Sequence, residues 1–276
     1  MTSPPRDFSR LCIHTMTTKP WAFEEAVRRY AAAGVAGVTV WRSDFADLGP
    51  AAAGELVRSH GLSVVSLCRG GFFPADSAGG RARAVDDNLR CIDEAAALGA
   101  PHVVLVCGSA PGLALAESRR QIAEGIAAVL PHAAASGVKL AIEPLHPMYA
   151  ADRSAVSTMS QARAICSQLK SPWLGIAVDV YHTWWDDRLE DEIRRSGSEG
   201  TLLAFHISDW RTPVADILED RGVMGEGCIP IRQIRGWVQE AGFDGFNEVE
   251  IFSRRHWASE QARYLEGIKA AYLAHS

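Results

Sequence analysis

Short runs of β-branched and other apolar residues alternate along the chain with longer, Ala-rich segments whose apolar positions recur at helical spacing. The helical segments repeatedly close on a glycine just before the next apolar run, as in YAAAGVAGVTVW, VRSHGLSVVSLC, AALGAPHVVLVCG, HAAASGVKLAIEPL and VQEAGFDGFNEVE. A glycine in that place supplies the left-handed cap that ends a helix, and the continuous apolar run after it reads as a parallel strand covered on both faces. Eight candidate strands follow in order: LCIHTMT, GVTVW, SVVSLCR, HVVLVCG, KLAIEPL, GIAVDVYH, LLAFHISD and FNEVEIF. Strands in that number, each followed by a helix, predict a (β/α)8 TIM barrel of the α/β class, because a doubly wound sheet usually stops at about five to seven strands. No Pro/Ser-rich seam interrupts the pattern, so residues 1–276 are expected to form a single domain. The longest connection, DWRTPVADILEDRGVMGEGC, leaves the seventh strand, where a lid over the mouth of a barrel would sit.

Composition narrows the class further. Hydrophobic residues make up 47% of the chain and charged residues 22%, the balance of a globular protein with a sizeable core. The formal net charge is -5 and no lysine or arginine stripe stands out, so nucleic acid is not an expected partner. The opening MTSPPRDFSR has no apolar signal core, and no stretch approaches the roughly 20 apolar residues of a membrane helix. A cytoplasmic protein without a membrane partner is expected. Cys12, Cys68, Cys91, Cys107, Cys166 and Cys228 are scattered with no CxxC pair, which suits reduced thiols.

In such a barrel the C-terminal ends of the strands face the catalytic mouth, and the last four strands end in polar residues. The fifth ends in Glu143, followed by His146; the sixth carries Asp179 and then His182; the seventh carries His206 and Asp209; the eighth carries Glu250. Any one of these alone reads more simply as exposed or salt-bridged. Together on successive strands, Glu143, Asp179, His206 and Glu250 make an oxygen-rich, single-imidazole ligand set for one divalent metal. Mn2+ is the expected ion, with Mg2+, Co2+ and Zn2+ also suited.

DGFNEVEIF poses a local puzzle, because in a strand Glu248 and Glu250 share a face with Phe246 and Phe252. A buried carboxylate must pair, neutralise or bind a metal. Glu250, nearer the open end, takes the ligand role in this reading; Glu248, one layer deeper, is expected to pair with Lys139 or an arginine. His14 and Trp41 are placed to line the mouth as substrate contacts, though packing in the core would place them equally well. Arg69 and the adjoining GGFFP form a wall of the mouth or a turn. Cys107 reads as a small buried residue. His146 reads as a neighbour of the site or a loop residue, and Trp184 and Trp185 as an apolar rim or a subunit contact.

IEPLHP, VDVYH, FHISDWR with a following GEG turn, and FDGFNEVE resemble the sugar phosphate isomerase/epimerase superfamily, the xylose-isomerase-like TIM barrels that include D-tagatose 3-epimerases. The resemblance implies the same metal ligands, Glu143, Asp179, His206 and Glu250, with Glu143 and Glu250 as the catalytic acid/base pair. It also implies substrate contacts from His182 and from an arginine after the seventh strand, for which the nearest candidate is Arg211. The implied activity is isomerisation or epimerisation of a keto sugar or sugar derivative through an ene-diolate. A metal-dependent lyase cleaving 3-keto-glycosides, sometimes with a small partner subunit, would use the same residues. The apurinic-site endonuclease branch fits poorly, because the third and fourth strands end in CRG and CGS without the further histidines of that branch. A carbohydrate substrate and association into homo-oligomers complete the expectations from resemblance.

Overall fold

A computed structural model describes residues 7–276. Eight parallel strands close in sequence order: β1 (Leu11–His14), β2 (Gly37–Trp41), β3 (Ser63–Gly71), β4 (His102–Val106), β5 (Lys139–Ile142), β6 (Leu174–Asp179), β7 (Leu202–Ile207) and β8 (Asn247–Val249). Closure is made by β8 against β1, where Cys12 faces Glu248 and Ile13 faces Val249. This is the TIM barrel that the alternation of apolar runs predicts.

The principal crossover helices are α1 (Phe23–Ala32), α2 (Pro50–Ser59), α3 (Ala78–Leu98), α4 (Leu115–Ser136) and α5 (Met159–Leu169). After β6 come the short α6 (Val180–Thr183) and then α7 (Leu189–Ser198). The chain ends with α8 (Ile231–Glu240), the short α9 (Arg254–Trp257) and α10 (Gln261–His275). The predicted glycine stops are present: α3 and α4 end on Gly99 (φ 84°) and Gly137 (φ 69°), a conformation that costs a glycine nothing sterically.

Strand alternation sorts the core into two regions. Val103, Leu105, Leu140, Ile142, Ile176, Val178, Phe205 and Ile207 face the helices in the main apolar cluster. The barrel interior is lined by smaller residues, with Cys68, Val104, Ala141, Ala177 and Ala204 forming a separate cluster. Small side chains there leave room above them for the larger polar residues at the strand ends.

Several strands stop earlier than the sequence suggests. β1 gives way to a 3-10 turn at Thr15–Thr18, and β8 is only three residues long, yet Glu250 N–H still donates to Ile207 carbonyl at 3.1 Å. Glu143 N–H likewise donates to Leu105 carbonyl at 3.1 Å, so both glutamates continue the line of their strands.

Candidate active site

The four strand-end residues singled out by sequence converge at the C-terminal mouth. Ligand atoms from Glu143, Asp179, His206 and Glu250 all lie within 4.8 Å of one another, and all four residues are buried. His206 Nδ1 is 2.9 Å from Glu143 Oε1 and 4.0 Å from Glu250 Oε2, while its Nε2 points back toward Glu248 Oε2 at 3.7 Å.

Arg221 is the residue that sequence reasoning missed. It is buried; its Nη1 donates to Glu250 Oε2 at 2.7 Å and to Asp179 Oδ2 at 3.1 Å, and its Nη2 approaches His182 Nε2 at 3.1 Å. The loop after β7 carries it there by doubling back. Asp209 and Gly222 exchange backbone hydrogen bonds, and Arg221 N–H donates to Phe252 carbonyl at 2.9 Å. The Asp209 carboxylate holds the end of the loop by accepting N–H groups from Trp210, Gly225, Gly227 and Ile229 at 2.8 to 3.0 Å. Arg211, the nearest candidate for the arginine that the resemblance implies, instead pairs with Asp220 and does not line the mouth. A signal was present in the GEG turn, since Arg221 lies just before it and the turn's amides anchor the loop to Asp209.

A second correction concerns Glu248. Lys139 lies exposed at the start of β5 and is not its partner. The carboxylate accepts from Thr39 Oγ1 at 2.6 Å and Ser66 Oγ at 3.2 Å, with His14 Nε2 at 3.4 Å. His14 is fully buried and bridges the two acids of the eighth strand, its Nδ1 lying 3.2 Å from Glu250 Oε1. It is therefore placed behind Glu250 rather than on the cavity wall.

These contacts set the charge states. Burial works against protonated His206, but Glu248 and Glu143 outweigh it and raise its pKa to about 9. Burial likewise opposes the charge on His14, and Glu250 and Glu248 raise it to about 9. For Glu250, burial pushes upward while Arg221, His14 and His206 hold it well below the usual carboxylate range. Burial dominates at Asp179, which rises to about 7 in spite of Arg221. The shared guanidinium lies nearer Glu250, so the charge resides there and Asp179 is the more easily protonated of the two. Burial and Arg221 both depress His182, which is neutral.

The mouth is a cavity of about 190 Å³ whose lining includes Glu143, Glu250, His182, Arg221, Trp41 and Tyr149. Trp41, expected there from sequence, packs edge-on against Phe252 with ring centroids 5.4 Å apart. His146 packs over Trp210, and its backbone N–H donates to His182 Nδ1 at 3.3 Å. Trp184 packs on Trp210, whereas Trp185 is partly exposed and donates from Nε1 to His182 carbonyl at 2.7 Å. A roomier cleft of about 680 Å³ lies beside α8, but none of the four converging residues lines it.

The donor set fits a divalent ion. Three carboxylates and one imidazole are brought together on rigid strand ends, and His206 Nδ1 faces the carboxylates while Nε2 faces Glu248. That orientation offers Nδ1 as the ligand atom and leaves Nε2–H toward an outer carboxylate, a common arrangement for a metal-binding histidine. Glu143, Asp179, His206 and Glu250 are the residues that would hold the ion.

Comparison with known proteins places this geometry among related folds. A family model described as a xylose isomerase-like TIM barrel matches residues 27–271. A crystal structure of a Sinorhizobium meliloti 1021 protein is 48% identical, with a TM-score of 0.92 over 95% of this chain and 97% of that one. The IOLI protein with a bound zinc atom is 19% identical, with a TM-score of 0.84 over 96% of this chain and 97% of that one. D-psicose 3-epimerase crystallised in the presence of D-fructose is 16% identical, with a TM-score of 0.79 over 95% of this chain and 96% of that one. The likeness to the last two is one of fold. Among curated proteins none matches the chain.

Proposed function

The chain belongs to the xylose isomerase-like TIM barrel family, and from that premise we propose that it is a divalent-metal-dependent isomerase or epimerase of a keto sugar or a sugar-derived hydroxyketone. The observation that carries the reading is the convergence of Glu143, Asp179, His206 and Glu250 at the mouth, with ligand atoms within 4.8 Å of one another. The fold shared with a sugar epimerase supports the substrate class. Mn2+ is the proposed ion, and a zinc-binding protein of the same fold supports a divalent metal.

When bound, the ion would act as a Lewis acid on the substrate carbonyl and make the proton on the adjacent carbon removable. Glu143 and Glu250 both line the cavity, from β5 and β8, and so can address that carbon from two sides. One takes the proton from carbon, and the other, protonated, supplies one to the opposite face of that carbon for epimerisation, or to the neighbouring carbon for isomerisation while the hydroxyl proton passes to the former carbonyl oxygen. Each carboxylate can use one oxygen as ligand and the other as base.

Arg221 and His182 stand beside the substrate oxygens in this reading. A neutral imidazole has only one acceptor nitrogen, and Arg221, which can only donate, lies 3.1 Å from Nε2, nearer than the His146 N–H at 3.3 Å from Nδ1. A substrate oxygen taking the place of His182 Nε2 would accept from Arg221 and be stabilised as negative charge develops on it.

Incubation of Mn2+-loaded protein in D2O with free ketoses and with 3-keto-glycosides tests the reading. The expected result is deuterium at the carbon beside the carbonyl of at least one free ketose, with a rearranged or epimeric sugar as product. Release of the glycosidic substituent from 3-keto-glycosides, without exchange in free ketoses, would identify a lyase instead.

A further inference from the structure

The same cavity contains two arginines that the chemistry above does not use. Arg69, at the end of β3, and Arg153, in the connection after β5, both line it together with Glu143 and Glu250. A register irregularity between β3 and β4 falls at Arg69, which has no paired residue on β4 while Cys68 and Gly70 do. Such bulges re-aim a side chain beside a site.

Neither arginine is ion-paired to a carboxylate among the described residues, whereas Arg42, Arg163, Arg211 and Arg221 all are. Arg69 Nη1 is buried with no hydrogen-bond partner. The guanidinium lies over Phe72 at 4.4 Å and over Trp41 at 5.9 Å. Stacking satisfies the faces of a guanidinium but leaves its in-plane N–H groups unserved. Burial and the neighbouring Arg153 push the Arg69 pKa down and outweigh Cys68, Glu143 and Glu250, which act in the other direction. The in-plane donors of Arg69 match the planar oxygens of a carboxylate or the oxygens of a phosphate.

We propose that Arg69 and Arg153 form an anion subsite, so that the substrate is a hydroxyketone bearing a carboxylate or phosphate rather than a neutral sugar. The head-group part of this inference rests on the isomerase or epimerase reading; the anion subsite stands on the two arginines. The cavity, at about 190 Å³, is below the usual range of roughly 300–1,000 Å³ for ligand sites, which restricts the ligand to one short chain or ring.

The test is calorimetric titration of the full chain, with and without Mn2+, using inorganic phosphate, D-ribulose 5-phosphate, 5-keto-D-gluconate, D-ribulose and D-fructose. At least one keto sugar anion is expected to bind about tenfold or more tightly than the neutral ketoses, consistent with charge-assisted hydrogen bonds. The phosphate and carboxylate arms identify the end group. Arg69→Met and Arg153→Met are each expected to remove that margin by weakening the keto sugar anion at least tenfold more than the neutral ketoses, and Arg69→Lys to restore part of it. Neutral ketoses binding as tightly as both sugar anions, no binding by any anion, or a margin that survives both methionine variants would overturn the subsite. Thermal unfolding verifies that each variant is folded, and a variant that is not is replaced by its glutamine counterpart, which likewise removes the charge. Selective anion binding without deuterium exchange at carbon would retain the subsite and overturn the proposed reaction; exchange confined to neutral ketoses would do the reverse.

Discussion

Arg221 Nη1 lies 2.7 Å from Glu250 Oε2, and the same nitrogen reaches Asp179 Oδ2 at 3.1 Å. One buried guanidinium thus serves as the cation between two of the four proposed metal ligands. Removing one partner of a buried ion pair leaves an uncompensated charge and costs about 3–5 kcal/mol. Arg221→Met is expected to destabilise the metal-free protein by that order, and Mn2+ to restore more stability in the variant than it adds to the wild type. Thermal unfolding with and without Mn2+ measures both effects. A variant as stable as wild type without metal contradicts the assignment.

Glu248 should act on the metal through its neighbours. It stands behind His206 and His14, accepting from Thr39 and Ser66. Outer partners of ligating histidines typically change metal affinity by about 10–100-fold when altered. Glu248→Gln should weaken Mn2+ binding by that factor while keeping the barrel folded, as read by calorimetry and circular dichroism. Unchanged affinity would make Glu248 a purely structural residue.

Much of this arrangement is legible in the sequence, and the rest shows where local reading stops. The apolar runs, the glycine stops and the acids at strand ends are local signals, and each remains attached to its predicted strand. Arg221 is not a local signal. Its position follows from Asp209 collecting four amides across the loop and from pairing with Phe252, neither of which spacing from His206 encodes. The partners of Glu248 come from β1, β2, β3 and β7 and depend on barrel closure and register, whereas Lys139 lies exposed at the start of β5, a strand that does not pair with β8. Arg69 was legible as a wall residue; that it lacks a counter-charge is a property of the assembled mouth.

His102 should confer acid sensitivity on the fold. Burial lowers its pKa from 6.5 to about 4, so the folded state holds it neutral while the unfolded chain takes up a proton below 6.5. Its contribution is fully present above pH 6.5 and is lost as pH falls toward about 4, by a total of about 3 kcal/mol at 1.36 kcal/mol per unit. His102→Leu should therefore flatten the decline in stability across that interval. Denaturant unfolding at several pH values measures the slope, and parallel profiles for variant and wild type contradict the prediction.

Gly54 offers a reversal of the usual helix rule. Alanine normally exceeds glycine in a helix by about 1 kcal/mol. Here an added Cβ would lie 2.1 Å from the Leu98 carbonyl oxygen, where α2 crosses the end of α3. Gly54→Ala is expected to destabilise by about 1–3 kcal/mol, as overpacking does, with a lower Tm. A rise in Tm would show that the helices separate freely.

The central claim is a single divalent-metal site built from Glu143, Asp179, His206 and Glu250. Elemental analysis of purified protein, joined to Mn2+ titration of the wild type and of Glu250→Gln, tests it most directly. One divalent ion per wild-type chain is expected after loading, with binding lost or sharply weakened in Glu250→Gln. A wild-type chain that takes up no divalent ion under any loading condition, or a variant that binds Mn2+ as tightly as wild type, would contradict the account.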